Sequence, residues 1–536
     1  VYFQGETSFF VYDGSSVTIE EVEQDISISF VSNNKLYVYL KGLGLHTYLN
    51  SNLTLVPSFS SESKTNFVVD FLHYESRNIF LMSGEGVYEI LQNDSIKHLF
   101  KIQDPLVAKS ANKVCLMNNG NFIIGTQGGI YIVNPQGKII QKISEESGLQ
   151  NSTISDQMLD NRGVLWLALD NGISKIDLHS SLSSISLDHG LKSAVEDITR
   201  HKGTIYIATS TGIGYITPCA DYAVSELPKV SYLDKINGQC WGIHSFTTET
   251  DTLLLYTDNE GVHQIDDNGN SIQILDCYPW ALIQSKIDKN RIFVGLEPGV
   301  LVLYRTNGAW EVEHKLDTLD ISARRVSEDK DGVIWLSSEQ DGIARVEFDF
   351  EIDNSKVKSI NYYKEEQGVP PGGTTVHNGD HWNLTGTHNG LYRYNTVKKM
   401  FLPDTVVGKL FHYTDNAFVR MSEDHFGNVW LVAFDAKDNS AHISYVSLPN
   451  GMNEHVHRKA PFVELADFTI YKIFHEPDGI SWFGGPKGLF RYDGLHNRNY
   501  EIDYHIAIRK VTIGENTILF GGTFLDEDGN VTHEQN

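Results

Sequence analysis

Apolar and polar positions alternate along this chain in short bursts, and no stretch of useful length keeps a helical period. LYVYL (36–40), IFLM (79–82), FIIGT (122–126), IYIAT (205–209), LLLYT (253–257) and IFVGL (292–296) read as strands, being short, β-branched and aromatic. Each runs into a tight turn ending in Gly, after which GIYIV (129–133), GLYRY (390–394) and GLFRY (488–492) read as return strands. The turn glycines are Gly44, Gly86, Gly129, Gly172, Gly212, Gly261, Gly299, Gly342, Gly390 and Gly488. A longer turn without Gly follows Phe434 and fills the gap before Gly488, so ten steps span 444 residues, about 44 each. Self-similarity at this period marks a repeat architecture.

The clearest copies are LDNRGVLWLALDNGISKID (159–177), EDKDGVIWLSSEQDGIARVEFD (328–349), EDHFGNVWLVAFD (423–435) and EPDGISWFGGPKGLFRYD (476–493). Each opens on an acidic turn, passes through a strand carrying Trp, and the complete ones close on Asp. Room remains for one strand before the acidic turn, as in ARRVSED (323–329), FVRMSED (418–424) and TIYKIFHE (469–476), and for one after the closing Asp, as in KIIQKI (138–143). Four short antiparallel strands per copy are a propeller blade. The expected fold is therefore all-β, with two β-propellers built from about twelve, and up to fourteen, four-stranded blades, because single rings hold four to eight. The division is expected near 305–320, giving propellers over 6–310 and 311–536. FFVYDGSSVTIEEV (9–22) reads as two outer strands, and HIAIRKV (505–511) with NTILFGGT (516–523) as an inner pair. The ends are expected to share one blade or to be cut mid-blade. Residues 1–5, with Tyr2-Phe3-Gln4-Gly5, resemble a protease-site remnant and are set aside.

A net charge of −26 disfavours nucleic acid and anionic membranes as partners. Cys115, Cys219, Cys240 and Cys277 fit neither a disulfide framework nor a zinc pattern and are expected to be buried thiols. No apolar run of about 18 residues occurs, so no membrane span is expected within this sequence. The chain has no G-x-S-x-G elbow, H-E-x-x-H or P-loop, and His412 and His455-Val456-His457 form no ligand set, so catalysis, metals and cofactors are not expected. With 69 carboxylates, a glycosidase dyad cannot be picked out by counting.

The copies resemble the two-component regulator propeller repeat, whose pattern runs from G-L-x-N through E-D-x-x-G-x-[IVL]-W-[IVL] and T-x-x-G-[IL] to Y-x-[FY]-[DN]. GLQNSTISDQMLDNRGVLWLALDNGISKID (148–177) matches nearly throughout, Gly368 to Asn395 loosely, and the resemblance covers about residues 28–525. It implies the periplasmic sensor region of a hybrid histidine kinase or related one-component regulator. Such a region senses an oligosaccharide and signals through a β-sandwich, a membrane helix and cytoplasmic domains absent from this sequence. A homodimer is compatible with that arrangement. The chain departs from the family in having about twelve blades where such sensors often have fourteen. Rival readings are a propeller enzyme acting on polysaccharide, such as a glycoside hydrolase or lyase, and a protein-interaction scaffold.

Residues that obey the repeat are expected to build it. Trp166, Trp335, Trp430 and Trp482 should fill the space between blades, with Tyr131, Tyr392 and Tyr492. Asp160, Asp329 and Asp424, like Asp177, Asp349 and Asp493, should bind turn backbone. Residues that break the repeat are the candidates for ligand binding. Trp241 and Trp280 open the innermost strands of consecutive blades, where they either stack on a sugar, with Tyr278, His244 and Asn237 nearby, or plug the channel entrance. A second set comprises Arg324, Arg325, Arg420, Tyr471, His377 and Asn378, on inner strands or their entry loops. Its arginines serve either a ligand or structural ion pairs. Trp382 and His381 could line the same face, and Trp310 is expected to pack on an outer strand.

Overall fold

The computed structural model describes the chain except at 13, 34, 50–51, 57–66, 94, 161–162, 179, 217–228, 249–250, 350–356, 412–415, 436–440, 448–454, 466–467, 496–510, 514–516, 521, 526–530 and 536. Cys219, His412, the turn after Phe434 and most of HIAIRKV thus lie outside the described residues. Those described form ten four-stranded, two three-stranded and two two-stranded antiparallel sheets. Residues 1–496 and 497–536 are separate units. In the second, Val511–Ile513 pairs with Thr517–Phe520, and Gly522–Leu525 with Val531–Gln535.

Seven of the sheets close a ring. Their inner strands are Val195–His201, Cys240–Thr247, Ala281–Gln284, Arg325–Glu328, Thr375–Asn378, Asn416–Glu423 and Lys472–His475. Each adjoins the next, and the seventh adjoins the first. Closure is made by Leu182–Ile185, which pairs with Gly488–Asp493 and so supplies the outer strand of the seventh blade. The seventh blade is thus completed by a segment from inside the chain. The expected division at 310/311 falls within the single strand Ala309–Leu316, the outer strand of the third blade. That division is corrected here to a ring spanning Leu182 to Asp493.

A second run of blades precedes the ring. Tyr2–Gln4, Ser8–Tyr12 and Val17–Glu21 form a three-stranded sheet, so the residues set aside as a tag remnant supply its edge strand. Three four-stranded blades follow, with inner strands Ile26–Ser32, Val68–Tyr74 and Lys113–Leu116, and then the three-stranded blade Ile154–Asp177. Hydrophobic side chains from facing sheets fill each interface, for example Phe30, Tyr37 and Tyr39 against Val68 and Phe80.

Where a blade keeps the acid–Trp motif, the Asp of the turn does two jobs. One carboxylate oxygen caps the turn: Asp329 Oδ1 accepts the backbone N–H of Asp331 and Val333, and Asp424 Oδ1 those of Phe426 and Asn428. The other accepts the indole N–H of the Trp six residues on, at 3.1 Å for Asp160–Trp166, 2.9 Å for Asp329–Trp335 and 2.8 Å for Asp424–Trp430. Glu476 plays the same part for Trp482, at 2.6 Å. At Trp335, Trp430 and Trp482 the indole is buried and its N–H must find an acceptor, which accounts for the acid that accompanies the Trp in those copies. The turn glycines answer a different need. At Gly261, φ is +150° and a Cβ would collide with the carbonyl oxygen of Leu275.

Candidate ligand-binding site

Inner strands from all seven blades converge on one cavity of about 780 Å³ at the central channel, within the size range of small-ligand sites. The first blade contributes Glu196 and Asp197, and the second Gln239, Trp241 and His244. Trp280 comes from the third, Arg324, Arg325 and Glu339 from the fourth, and His377 from the fifth. Arg420 comes from the sixth, and Tyr471 and Lys472 from the seventh.

Local backbone irregularity aims several of these groups. Pairing slips between Val195 and Asp197, between Cys240 and Gly242, and between Phe418 and Arg420. A β-bulge at the head of an inner strand turns a side chain that would otherwise face a neighbouring blade. Glu196 and Trp241 are the inserted residues of the first two bulges, and both line the cavity.

One wall is aromatic. Trp241 and Trp280 stack with centroids 5.7 Å apart and planes 14° from parallel. The half-exposed Tyr278 meets both edge-on, at 4.8 and 5.4 Å. The Arg324 guanidinium lies 3.9 Å from the Trp280 ring centre, a cation–π contact. Two carboxylates stand at similar range, Glu297 at 3.8 Å and Glu339 at 4.0 Å.

The neighbouring first and seventh blades contribute charge. Asp197 is 5 % exposed. Its Oδ1 accepts the Lys472 ammonium at 2.8 Å, and its Oδ2 accepts the backbone N–H of Ile243 at 3.0 Å. Burial works to raise its pKa, but Lys472, His244 and these hydrogen bonds prevail and hold it below the usual carboxylate range. Burial drives His244 down to about 4, so the imidazole is neutral at neutral pH. Glu196 accepts the Ser210 hydroxyl at 3.1 Å, and burial raises its carboxyl.

The structure brings Trp241, Trp280, His244, Arg324, Arg325, Arg420, Tyr471 and His377 together around this cavity, with Tyr278 bracing the tryptophans. Four other expected residues fall elsewhere. Trp382 is 8 % exposed in the core between the fifth and sixth blades, and its indole N–H donates to the Gly427 carbonyl at 2.9 Å. It leaves the repeat's position yet does the repeat's packing work. His381 is exposed and bonded to Glu423. Asn237 ends an outer strand, its side chain donating to the Asp234 carbonyl. Asn378 is bound through its backbone N–H to Ser327. Trp310 packs on Phe246 at 5.1 Å, as expected for an outer strand. Cys115, Cys240 and Cys277 are free thiols pushed up by burial to about 11, 12 and 11. Sequence reasoning missed Asp197, Glu196 and Lys472; the one available signal was a lone charge inside an apolar inner strand, as in TIYKIF (469–474).

The buried imidazoles set an acid limit on stability. His244 and His457 are pushed down to about 4 and His475 downward, in each case chiefly by burial. An unfolded chain, with histidines near 6.5, binds more protons than the folded one between pH 6.5 and 4, so stability is full above that window and falls through it. Each imidazole is expected to cost on the order of 1–2 kcal/mol between pH 7 and 5. Denaturation midpoints across that range check this; a flat profile would contradict it.

No family model matches the chain, and no curated protein does. Among solved structures, it is similar to one named as the extracellular domain of a hybrid two-component system from B. thetaiotaomicron, at 13% identity and TM-score 0.45, over 92% of this chain and 80% of that one. It is also similar to one named as the extracellular domain of a one-component system from the same organism, at 14% identity and TM-score 0.42, over 93% and 68%. A third is YCF48 from Cyanidioschyzon merolae, at 13% identity and TM-score 0.42, over 59% and 99%. At this identity and superposition, any functional reading has to come from the site itself.

Proposed function

We propose that this chain is the extracytoplasmic ligand-binding region of a bacterial two-component-type regulator, and that it binds an oligosaccharide without turning it over. The observation that carries this reading is the single cavity on which all seven inner strands converge, with the Trp241–Trp280 stack on one wall. Aromatic faces suit the apolar face of a sugar ring, and the surrounding polar groups suit its hydroxyls. The repeat supports the regulator class through its resemblance to sensor propellers. Among the described residues, no helix is long and apolar enough to cross a membrane. Binding would be read out as a shift between domain or subunit arrangements.

Titration calorimetry against plant, algal and host glycans tests the proposal. A saturable heat without product release is expected, and Trp241→Ala is expected to weaken binding by about tenfold or more, the loss of one stacked ring. Release of shortened glycans would favour the enzyme reading. Unchanged affinity in Trp241→Ala would remove this cavity as the site.

A further inference from the structure

The arginines of this protein are, as a rule, held by carboxylates. Arg77 binds Glu89 at 2.7 Å and Arg291 binds Glu313 at 2.6 Å. Arg200, Arg345 and Arg393 are held by Glu476, Glu347 and Asp404. Arg325 and Arg420 are exceptions: both enter the cavity, from the fourth and sixth blades, and among the described residues neither makes an ion pair or a hydrogen bond.

Their surroundings make this costly. Burial pushes the Arg325 guanidinium down to about 9, and Arg420, close enough to repel it, pushes the same way. Arg420 is likewise pushed down by burial. Both nonetheless stay charged at neutral pH, because guanidinium holds its proton. Two desolvated like charges without a directly paired counter-ion are unfavourable unless something bound there compensates them.

The carboxylates of the cavity supply that compensation only in part: Glu339 attracts both guanidiniums, and Asp197 and Glu196 attract Arg420, but none forms an ion pair with either. Asp197 is committed to Lys472 and to the Ile243 N–H. Glu196 is bonded to Ser210. Glu339 is largely exposed and stands nearest to Arg324. The cavity holds four cationic side chains (Arg324, Arg325, Arg420, Lys472) against three carboxylates (Glu196, Asp197, Glu339), in a chain whose net charge is −26. An excess of positive charge there runs against the composition of the whole.

We propose that Arg325 and Arg420 form an anion subsite, and that the glycan is acidic, carrying a carboxylate or sulfate that the two guanidinium forks clasp while its ring lies toward Trp241. This rests on the glycan reading above and narrows it to uronate-containing or sulfated saccharides. Planar forks match carboxylate and sulfate oxygens in pairs, and a desolvated site strengthens the attraction.

The test is calorimetry on the intact chain with an oligogalacturonate, its carboxyl-reduced neutral counterpart, a sulfated disaccharide and sodium sulfate alone. At least one acidic saccharide is expected to bind about tenfold or more tighter than a neutral one, with Arg325→Met and Arg420→Met each erasing that advantage. The same variants are expected to keep or raise the melting temperature, because they remove an uncompensated charge; a drop in melting temperature would assign the arginines to structure and overturn the subsite. Equal affinity for acidic and neutral saccharides would overturn the subsite and leave the glycan reading standing. Sulfate binding without glycan binding, or no binding at all, would overturn both.

Discussion

Trp430→Ala is expected to destabilise the ring by about 3–5 kcal/mol, the usual cost of truncating a buried Trp, whereas Trp166→Ala at the same repeat position is expected to cost less than about 1 kcal/mol. The two residues share a motif and differ in burial. Trp430 is 2 % exposed and Trp166 is 38 % exposed. Trp430 stacks on Tyr445 at 4.6 Å and lies against Phe462, Phe483 and Tyr492 at 5.3, 5.7 and 5.7 Å, filling the seam between the sixth and seventh blades. Trp166 belongs to none of the interblade cores among the described residues. Both donate to their turn aspartate, so the hydrogen bond does not separate them. Trp430→Phe isolates that bond. It keeps most of the packing, leaves Asp424 with Asn428 at 2.8 Å, and is expected to cost about 1–2 kcal/mol. Denaturant midpoints for the three variants read these values directly. A Trp166→Ala loss as large as that of Trp430→Ala would refute the burial argument.

That contrast shows how far the sequence can be read. The repeat announces a blade wherever it occurs, because the turn Gly answers a need common to the blades and the acid–Trp pair, where present, ties a turn to its strand. It says nothing about which blades share a ring. Ring membership depends on where the chain closes, and the closing strand Leu182–Ile185 is a short SLSSI-like segment without Trp, acidic turn or Gly, unremarkable until it pairs with Gly488–Asp493. A boundary drawn by halving the repeats therefore cut the strand Ala309–Leu316. The site was legible to the extent that it broke the repeat. Trp241, Trp280, Arg324, Arg325 and Arg420 stood out as large or charged groups at the heads of inner strands, and the closed ring carries all of them to one cavity. Trp382 broke the pattern for a different reason, having moved to the turn before its strand while still filling the core. The bulges that aim Glu196 and Trp241 left no trace in a period that already drifts by several residues from copy to copy.

Asp197 and Lys472 were the least legible and hold the ring at its seam. Lys472 comes from the seventh blade, Asp197 from the first, and the Ile243 N–H that Asp197 also accepts from the second, so one carboxylate ties three blades together where the chain closes. Lys472→Met is expected to cost about 3 kcal/mol at neutral pH, since it leaves a buried carboxylate without its cation while the ammonium it removes was itself partly solvated. The dependence on pH identifies the cause. With Lys472 present, the Asp197 carboxyl is held below its unfolded value of 3.8 and contributes stability at every pH above that value. Without it, burial dominates and the carboxyl titrates above 3.8, so acidification neutralises the stranded charge and the deficit relative to the parent shrinks between pH 7 and 4. Asp197→Asn in the Lys472→Met background removes the charge outright and is expected to recover most of the loss, giving a strong coupling in the double-mutant cycle. A deficit that stays constant from pH 7 to 4, with no recovery in the double variant, would show that Lys472 acts through the packing of its methylene stem and not through its charge.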